Sequence, residues 1–281
     1  MAHQRFVFQS DAETYEIQNI KSVQGLGLPP VKLTSKTYWR RDGLKVNDVG
    51  YDARIMTFEW DFDNKTFEEA ATQRRSFMRF FADKGPRKLE YTRADGMTVY
   101  LYPVYLAAGS APAMEEHANL PEAMQFIAEN PYFKRNLVVT SVTLETPLLE
   151  WPDAGLEWTE QGFECSSASN TLQSANEGDI NADTVIRFYG PAVTPFVENT
   201  TTGQRFEVDR TLGASDMLEV DSASGRVNII DGAGVRHNAY NYMTEDSELI
   251  QLARGVNQIQ FGSAGGGGYI EIGGVEYYAS L

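Results

Sequence analysis

Residues 66–84 read TFEEAATQRRSFMRFFADK and form the one convincing long amphipathic stretch in a chain of 281 residues. Thr66 and Glu69 have the spacing of a capping box, in which a hydroxyl and a carboxylate satisfy the free N–H groups of a helix start. Glu68 and Glu69 also lie at the positive end of the helix dipole. Phe67, Ala70, Ala71, Phe77, Met78 and Phe81 recur at spacings of three and four, so the stretch predicts a helix with a single apolar stripe. Gly85-Pro86 ends it. Arg74, Arg75 and Arg79 fall on or beside the stripe. They either snorkel at the rim of a helix that covers a sheet or reach a neighbouring subunit.

Working outward, the flanks read as β. Upstream, Arg5-Phe6-Val7-Phe8 is short and apolar-rich. Tyr15, Ile17 and Asn19 alternate with Glu16, Gln18 and Ile20 as on a half-buried strand. Gly25-Leu26-Gly27-Leu28-Pro29-Pro30 is a loop or edge crossing, because consecutive prolines do not sit in a central strand. Residues 34–54 read as a long loop or hairpin around the turn signal Asp42-Gly43. Residues 54–61 form a strand with Met56, Phe58 and Trp60 on one face. Downstream, 88–92 and 98–102 flank Ala94-Asp95-Gly96 as a hairpin. Residues 107–122 are expected as an exposed loop, and 124–128 and 136–144 as strands.

The charge divides the chain. Residues 1–147 hold 18 Lys+Arg and 19 Asp+Glu, a net of −1, and residues 148–281 hold 6 and 20, a net of −14. Composition shifts at Glu145-Thr146-Pro147, so two domains are expected, 1–147 and 148–281. The acidic half repels phosphate backbones. Its short strands, at 184–189, 195–198, 205–208, 217–220, 227–230, 257–261, 269–272 and 275–278, are spaced as in a β-sandwich. The expected fold class is mainly β, with one helix in the first half. There is no apolar run of membrane-spanning length and no signal-peptide pattern at the N-terminus.

Catalytic and metal chemistry lacks a motif. The single cysteine, Cys165, rules out an intrachain disulfide. His3, His117 and His237 are far apart and outside metal-ligand spacings. Asp61-Phe62-Asp63-Asn64 opens like a calcium loop but lacks the later glycine and glutamate. Ser263 to Gly268 (SAGGGG) has no following lysine and reads as a flexible loop between strands rather than a phosphate cradle. No nucleophile elbow occurs. The chain is therefore expected to be no enzyme, with no cofactor and no metal. The candidate contact cluster is Tyr38, Trp39, Arg40 and Arg41, residue types enriched at protein interfaces. The same types serve single-stranded nucleic acid, but no wider basic patch accompanies them.

Several pieces, taken in order, resemble the distal tail (Dit) proteins of siphovirus-type bacteriophages. They are IKSVQGLGLPP (20–30), Arg41-Asp42-Gly43 with YDARIMTF (51–58), the helix, and FIAENPYF (126–133). The second half adds Asn176-Glu177-Gly178-Asp179, Ile186 to Gly190, Glu198 to Gly203, Leu218 to Asp221 and Arg254 to Ile259. Asn130 stands where the family often has aspartate. The resemblance implies a ring-forming N-terminal belt domain and an outer galectin-like β-sandwich. It further implies a hexameric structural hub of the virion's tail tip, or baseplate. The implied partners are copies of itself, the tail tube protein, the tail-tip (tail-associated lysin/hub) protein and receptor-binding proteins, with DNA passing through the channel unbound. Tyr38, Trp39, Arg40 and Arg41 would then lie at a subunit or tube contact.

Two other readings compete. Galectin-like sandwiches often bind sugars, so a carbohydrate-binding module for host-wall adhesion is the first, with Trp151 and Trp158 as candidate glycan contacts. The second is another ring-forming tail protein, such as the tube subunit. Fold alone does not decide between them.

Overall fold

The computed structural model describes residues 4–37, 44–62, 66–109, 120–143 and 170–281. The chain divides into two units, Met1–Arg135 with Tyr277–Leu281, and Asn136–Glu276. The composition border expected at 147 falls outside the described residues.

In the first unit one antiparallel sheet runs in the order Thr14–Ile17, Arg5–Gln9, Arg87–Thr92, Thr98–Gly109, Leu120–Ala128, Arg54–Phe62, Ile20–Gln24. The first and last of these strands are joined by Gln18 and Asn19 alone, so the sheet curls until its two edges meet at that corner. Asn19 turns it with a left-handed backbone, φ 54°, a conformation asparagine tolerates better than most residues. Period-two alternation then puts one side-chain set inside: Phe6 and Phe8, Met56, Phe58 and Trp60, Leu89 and Tyr91, Met124 and Phe126 are all buried.

The helix, Phe67–Phe80, plugs this concavity. Its N-terminus carries the expected capping box: Glu69 N–H donates to Thr66 Oγ1, and Thr66 N–H to Glu69 Oε2. Phe77 packs edge-on to Tyr15 and Trp60, and Phe81 against Phe8 and Phe126. Each such buried side chain contributes about 1.5–3 kcal/mol. Arg75 and Arg79 are exposed, and Arg74 is half-buried.

The helix ends earlier than Gly85-Pro86 would require. Ala82 N–H donates to Arg79 O and Lys84 N–H to Phe81 O, three-residue turns that tighten the chain. Lys84 then adopts φ 55°. Buried Arg87 donates to Phe80 O at 2.6 Å, bonds Asp83 and lies 4.9 Å over the Phe80 ring. A cation thus caps the negative helix end.

The second unit is a two-sheet sandwich. One sheet pairs Thr140–Thr143, Tyr269–Tyr278, Ala182–Tyr189, Met217–Asp221, Arg226–Ile230 and Arg236–Asn238 in that order. The other pairs Thr171–Asn176, Gly255–Gly262, Phe196–Asn199 and Gln204–Glu207. Ile186, Phe188, Leu218 and Val220 from the first sheet share a core with Leu172, Val197, Phe206, Ile259 and Phe261 from the second.

Several expectations are corrected. The region 107–122 is strand at both described ends, since Thr98–Gly109 and Leu120–Ala128 pair with each other. The expected strand at 136–144 is instead two, Phe133–Asn136 and Thr140–Thr143. Strands 269–272 and 275–278 are one. Gly274 lets that strand lie against its neighbour, because a Cβ there would sit 2.0 Å from Asp183 O. The glycine run is not a free loop: Val193 N–H donates to Gly265 O and Ala264 N–H to Val193 O. A Cβ on Gly266 would collide with Pro191 O at 2.6 Å, so close backbone approach accounts for the glycine there.

Candidate subunit interface

Arg54 anchors the base of the candidate surface. It follows a hairpin of Val31–Thr37 and Leu44–Tyr51 and is 1% exposed. Its guanidinium donates to Pro131 O, Gly25 O, Gly27 O and Ala279 O at 2.5–2.7 Å and lies 4.4 Å over the Phe133 ring. Burial pushes its pKa down to about 10. Four carbonyl dipoles pull the other way, so the group stays charged at neutral pH. Planar geometry and five fixed donors let one arginine tie the loop before the hairpin, the strand after it and the C-terminal return together.

The hairpin rises from that pinned base. Asp52 N–H closes it on Pro30 O at 2.8 Å, and Tyr51 meets Tyr132 edge-on at 5.8 Å. Val31 pairs with Tyr51 and Leu33 with Val49, so these four side chains share one face; Lys32, Thr34, Asp48 and Gly50 occupy the other. The apolar four are 56%, 40%, 56% and 63% exposed in that pairing order. Leu28, on the loop that leads in, is 68% exposed. A two-stranded ribbon is marginal in water unless something covers its apolar face. A contiguous exposed apolar face of this kind is a candidate interaction surface.

The expected contact residues Tyr38, Trp39, Arg40 and Arg41 lie outside the described residues. Trp151, Trp158 and Cys165 also lie outside them, as do His3 and His117. The alternation Val31, Leu33, Val49, Tyr51 was the missed signal: it reads as a half-buried strand pair, and only the structure leaves that face open.

Among the described residues no group of three His, Cys, Asp or Glu converges as a metal site. No helix among them is long and apolar enough to cross a membrane.

The second unit carries its own signature. Asn176, Asn199 and Asn257 are fully buried. Asn176 Nδ2 donates to Ile180 O and Leu252 O, and Asn257 Nδ2 to Ala253 O and Gly255 O. Asn199 Nδ2 donates to Gln251 O and to Asn257 Oδ1. Each amide thereby replaces ladder hydrogen bonds where the chain leaves a strand.

These three asparagines lie in the segments that carry the resemblance, and the comparisons agree with it. Residues 177–272 match the model of the siphovirus-type tail component, C-terminal domain. The whole chain is similar in fold to the Dit protein (gp 19.1) of phage SPP1, described as a paradigm of the hub adsorption apparatus in phages that infect Gram-positive bacteria. That likeness has a TM-score of 0.65 at 12% identity, covering 96% of this chain and 98% of that one. A chain of the phage P2 baseplate in its calcium-activated conformation follows, with a TM-score of 0.54 at 13% identity over 99% and 100%. The strontium form gives 0.51 at 13% over 96% and 98%. No curated protein matches the chain. The mainly β fold is thus that of the Dit hub, and the resemblance to siphovirus distal tail proteins is borne out.

Proposed function

We propose that this chain is the distal tail hub of a siphovirus-type tail tip, a structural ring, hexameric, that joins the tail tube to the tail-tip and receptor-binding proteins around the DNA channel. The observation that carries this reading is the match in fold along nearly the full length of a Dit hub, with the tail-component domain in its place at residues 177–272. The role is structural rather than catalytic, and its place is the virion.

The hairpin supplies the ring contact. A closed ring uses a heterologous interface, in which one patch meets a different patch on the next copy. The exposed face of Val31, Leu33, Val49 and Tyr51 is the first patch. Its occupant is a second copy of this chain, and Tyr38, Trp39, Arg40 and Arg41 take part in the same contact.

Immunogold labelling of the particle that carries this chain tests the assignment. Gold at the distal end of the tail is the expected result. Gold along the tube, or on the head, would overturn the hub and favour a tube subunit or a head protein.

A further inference from the structure

A head-to-tail ring needs two different patches on each copy, because one surface of a chain meets another surface of the next. The hairpin face supplies one. Apart from that face and Leu28, the large apolar side chains left exposed in the described part of the first unit are Ile55 and Tyr102, each 47%. Ile55 stands on the strand Arg54–Phe62 and Tyr102 on Thr98–Gly109, both in the sheet that encloses the first core.

The register gathers an apolar row on the solvent side of that sheet. Met56, Phe58 and Trp60 are buried, so Ile55, Thr57 and Glu59 face the other way. Ile55 pairs with Ile127, and Ile127 pairs on its other side with Tyr105. These three form one row across three strands, about 10 Å wide at two interstrand spacings. Thr57, Gln125 and Ala108 form the next row. Neither row carries a charge. The Tyr105 hydroxyl donates to Glu129 at the border, and Tyr102 lies near it. A sheet side that faces water ordinarily turns polar residues outward. This one is apolar and neutral at its centre.

Size and charge choose the occupant. A stable interface buries about 800 Å² on each partner, more than four side chains supply, so the hairpin has to lie along a surface of several strands. Its face offers four large apolar side chains on two paired strands, and the row answers it in width and character. The strands that carry the row hold three acids, Glu59, Asp61 and Glu122, and one base, the buried Arg54. The hairpin strands hold three lysines, Lys32, Lys36 and Lys45, and one aspartate, Asp48. Opposite charge around two apolar centres steers one face onto the other and disfavours pairing of like faces. Resting on the ring reading, we infer that the row of Ile55, Ile127 and Tyr105 receives the hairpin face of the next copy and is the second patch of the ring.

Two variants of the full chain that complement each other test this, with association read by sedimentation velocity over a concentration series. Ile55→Glu with Ile127→Lys puts opposite charges on cross-strand partners, so the sheet keeps its pairing. This row variant should stay monomeric. So should Leu33→Lys with Val49→Asp, the hairpin variant, whose row is intact. An equal mixture of the two should give a dimer of twice the 31.4 kDa chain and nothing larger, because the intact hairpin of one meets the intact row of the other. Ile55→Glu alone, at a position already half exposed, should raise the midpoint concentration of association about tenfold; it decides the question if the double row variant loses its fold. Unchanged melting temperatures separate association from folding. A row variant that associates like the wild type, or a mixture that stays monomeric where the wild type is assembled, overturns the second patch and leaves the hairpin contact standing. A wild-type chain that never associates removes the ring reading, and the second patch with it.

Discussion

Arg54 shows how much one side chain can hold. Its four acceptors are backbone carbonyls at positions 25, 27, 131 and 279, so no local sequence pattern announces them. Replacing it with methionine keeps the stem and strands four carbonyls without a donor. Hydrogen bonds to a charged group are worth about 1.5–3 kcal/mol each, though not additively. Arg54→Met should therefore cost at least about 3 kcal/mol in urea unfolding, and Arg54→Lys should recover only part, because an ammonium lacks the planar fork. A loss under 1 kcal/mol for the methionine variant would contradict the anchoring role. Asn257 acts in the same way in the second unit. Asn257→Leu leaves Asn199 without its side-chain acceptor and the 253–255 turn without its amide, so about 2–3 kcal/mol should be lost. Here the sequence was partly legible: Asn176, Asn199 and Asn257 all stand in segments that carry the family resemblance. Their burial and partners were not, because asparagine is ordinarily a surface residue.

At the scale of elements, features with a local period were readable and the others were not. The helix was legible from its stripe and its capping box. Thr66→Ala should lower stability by about 1 kcal/mol, measurable as a shift in the urea midpoint. Its C-terminal end was misjudged because Arg87, on the next strand, supplies the cap. Buried Phe80 also escaped the stripe reading, although it packs against Phe81 and Arg87. The two-residue strands Ala192–Val193, Thr211–Leu212 and Gln251–Leu252 are too short to show any period. The hairpin was legible as a turn, but its open apolar face was not, since exposure is a tertiary property. Leu33→Lys with Val49→Asp tests that face. The two positions are cross-strand partners, so the new charges attract and the hairpin stays paired. Such exposed substitutions usually alter stability within about 0.5 kcal/mol, yet these two should abolish self-association. Trp39→Ala with Arg41→Ala should weaken association as well. If both double variants associate like the wild type, the hairpin is not the ring contact.

At the scale of the molecule, the sequence showed two surfaces of different charge and a mainly β fold with one helix. It did not show that residues 277–281 return to the first unit, where Leu281 N–H donates to Leu26 O and Ala279 O receives Arg54. That return is a contact between sequence ends, invisible to any local pattern. Together with Arg54, it fixes the base from which the hairpin projects. The central claim is that this hairpin closes a ring of identical chains. Mass photometry of the purified wild-type chain over a concentration series tests it most directly. A species near six times the 31.4 kDa chain, growing with concentration and missing from the Leu33→Lys, Val49→Asp variant, is the predicted result. A wild-type chain that stays monomeric at every concentration, or a variant that forms the same assembly, would contradict it.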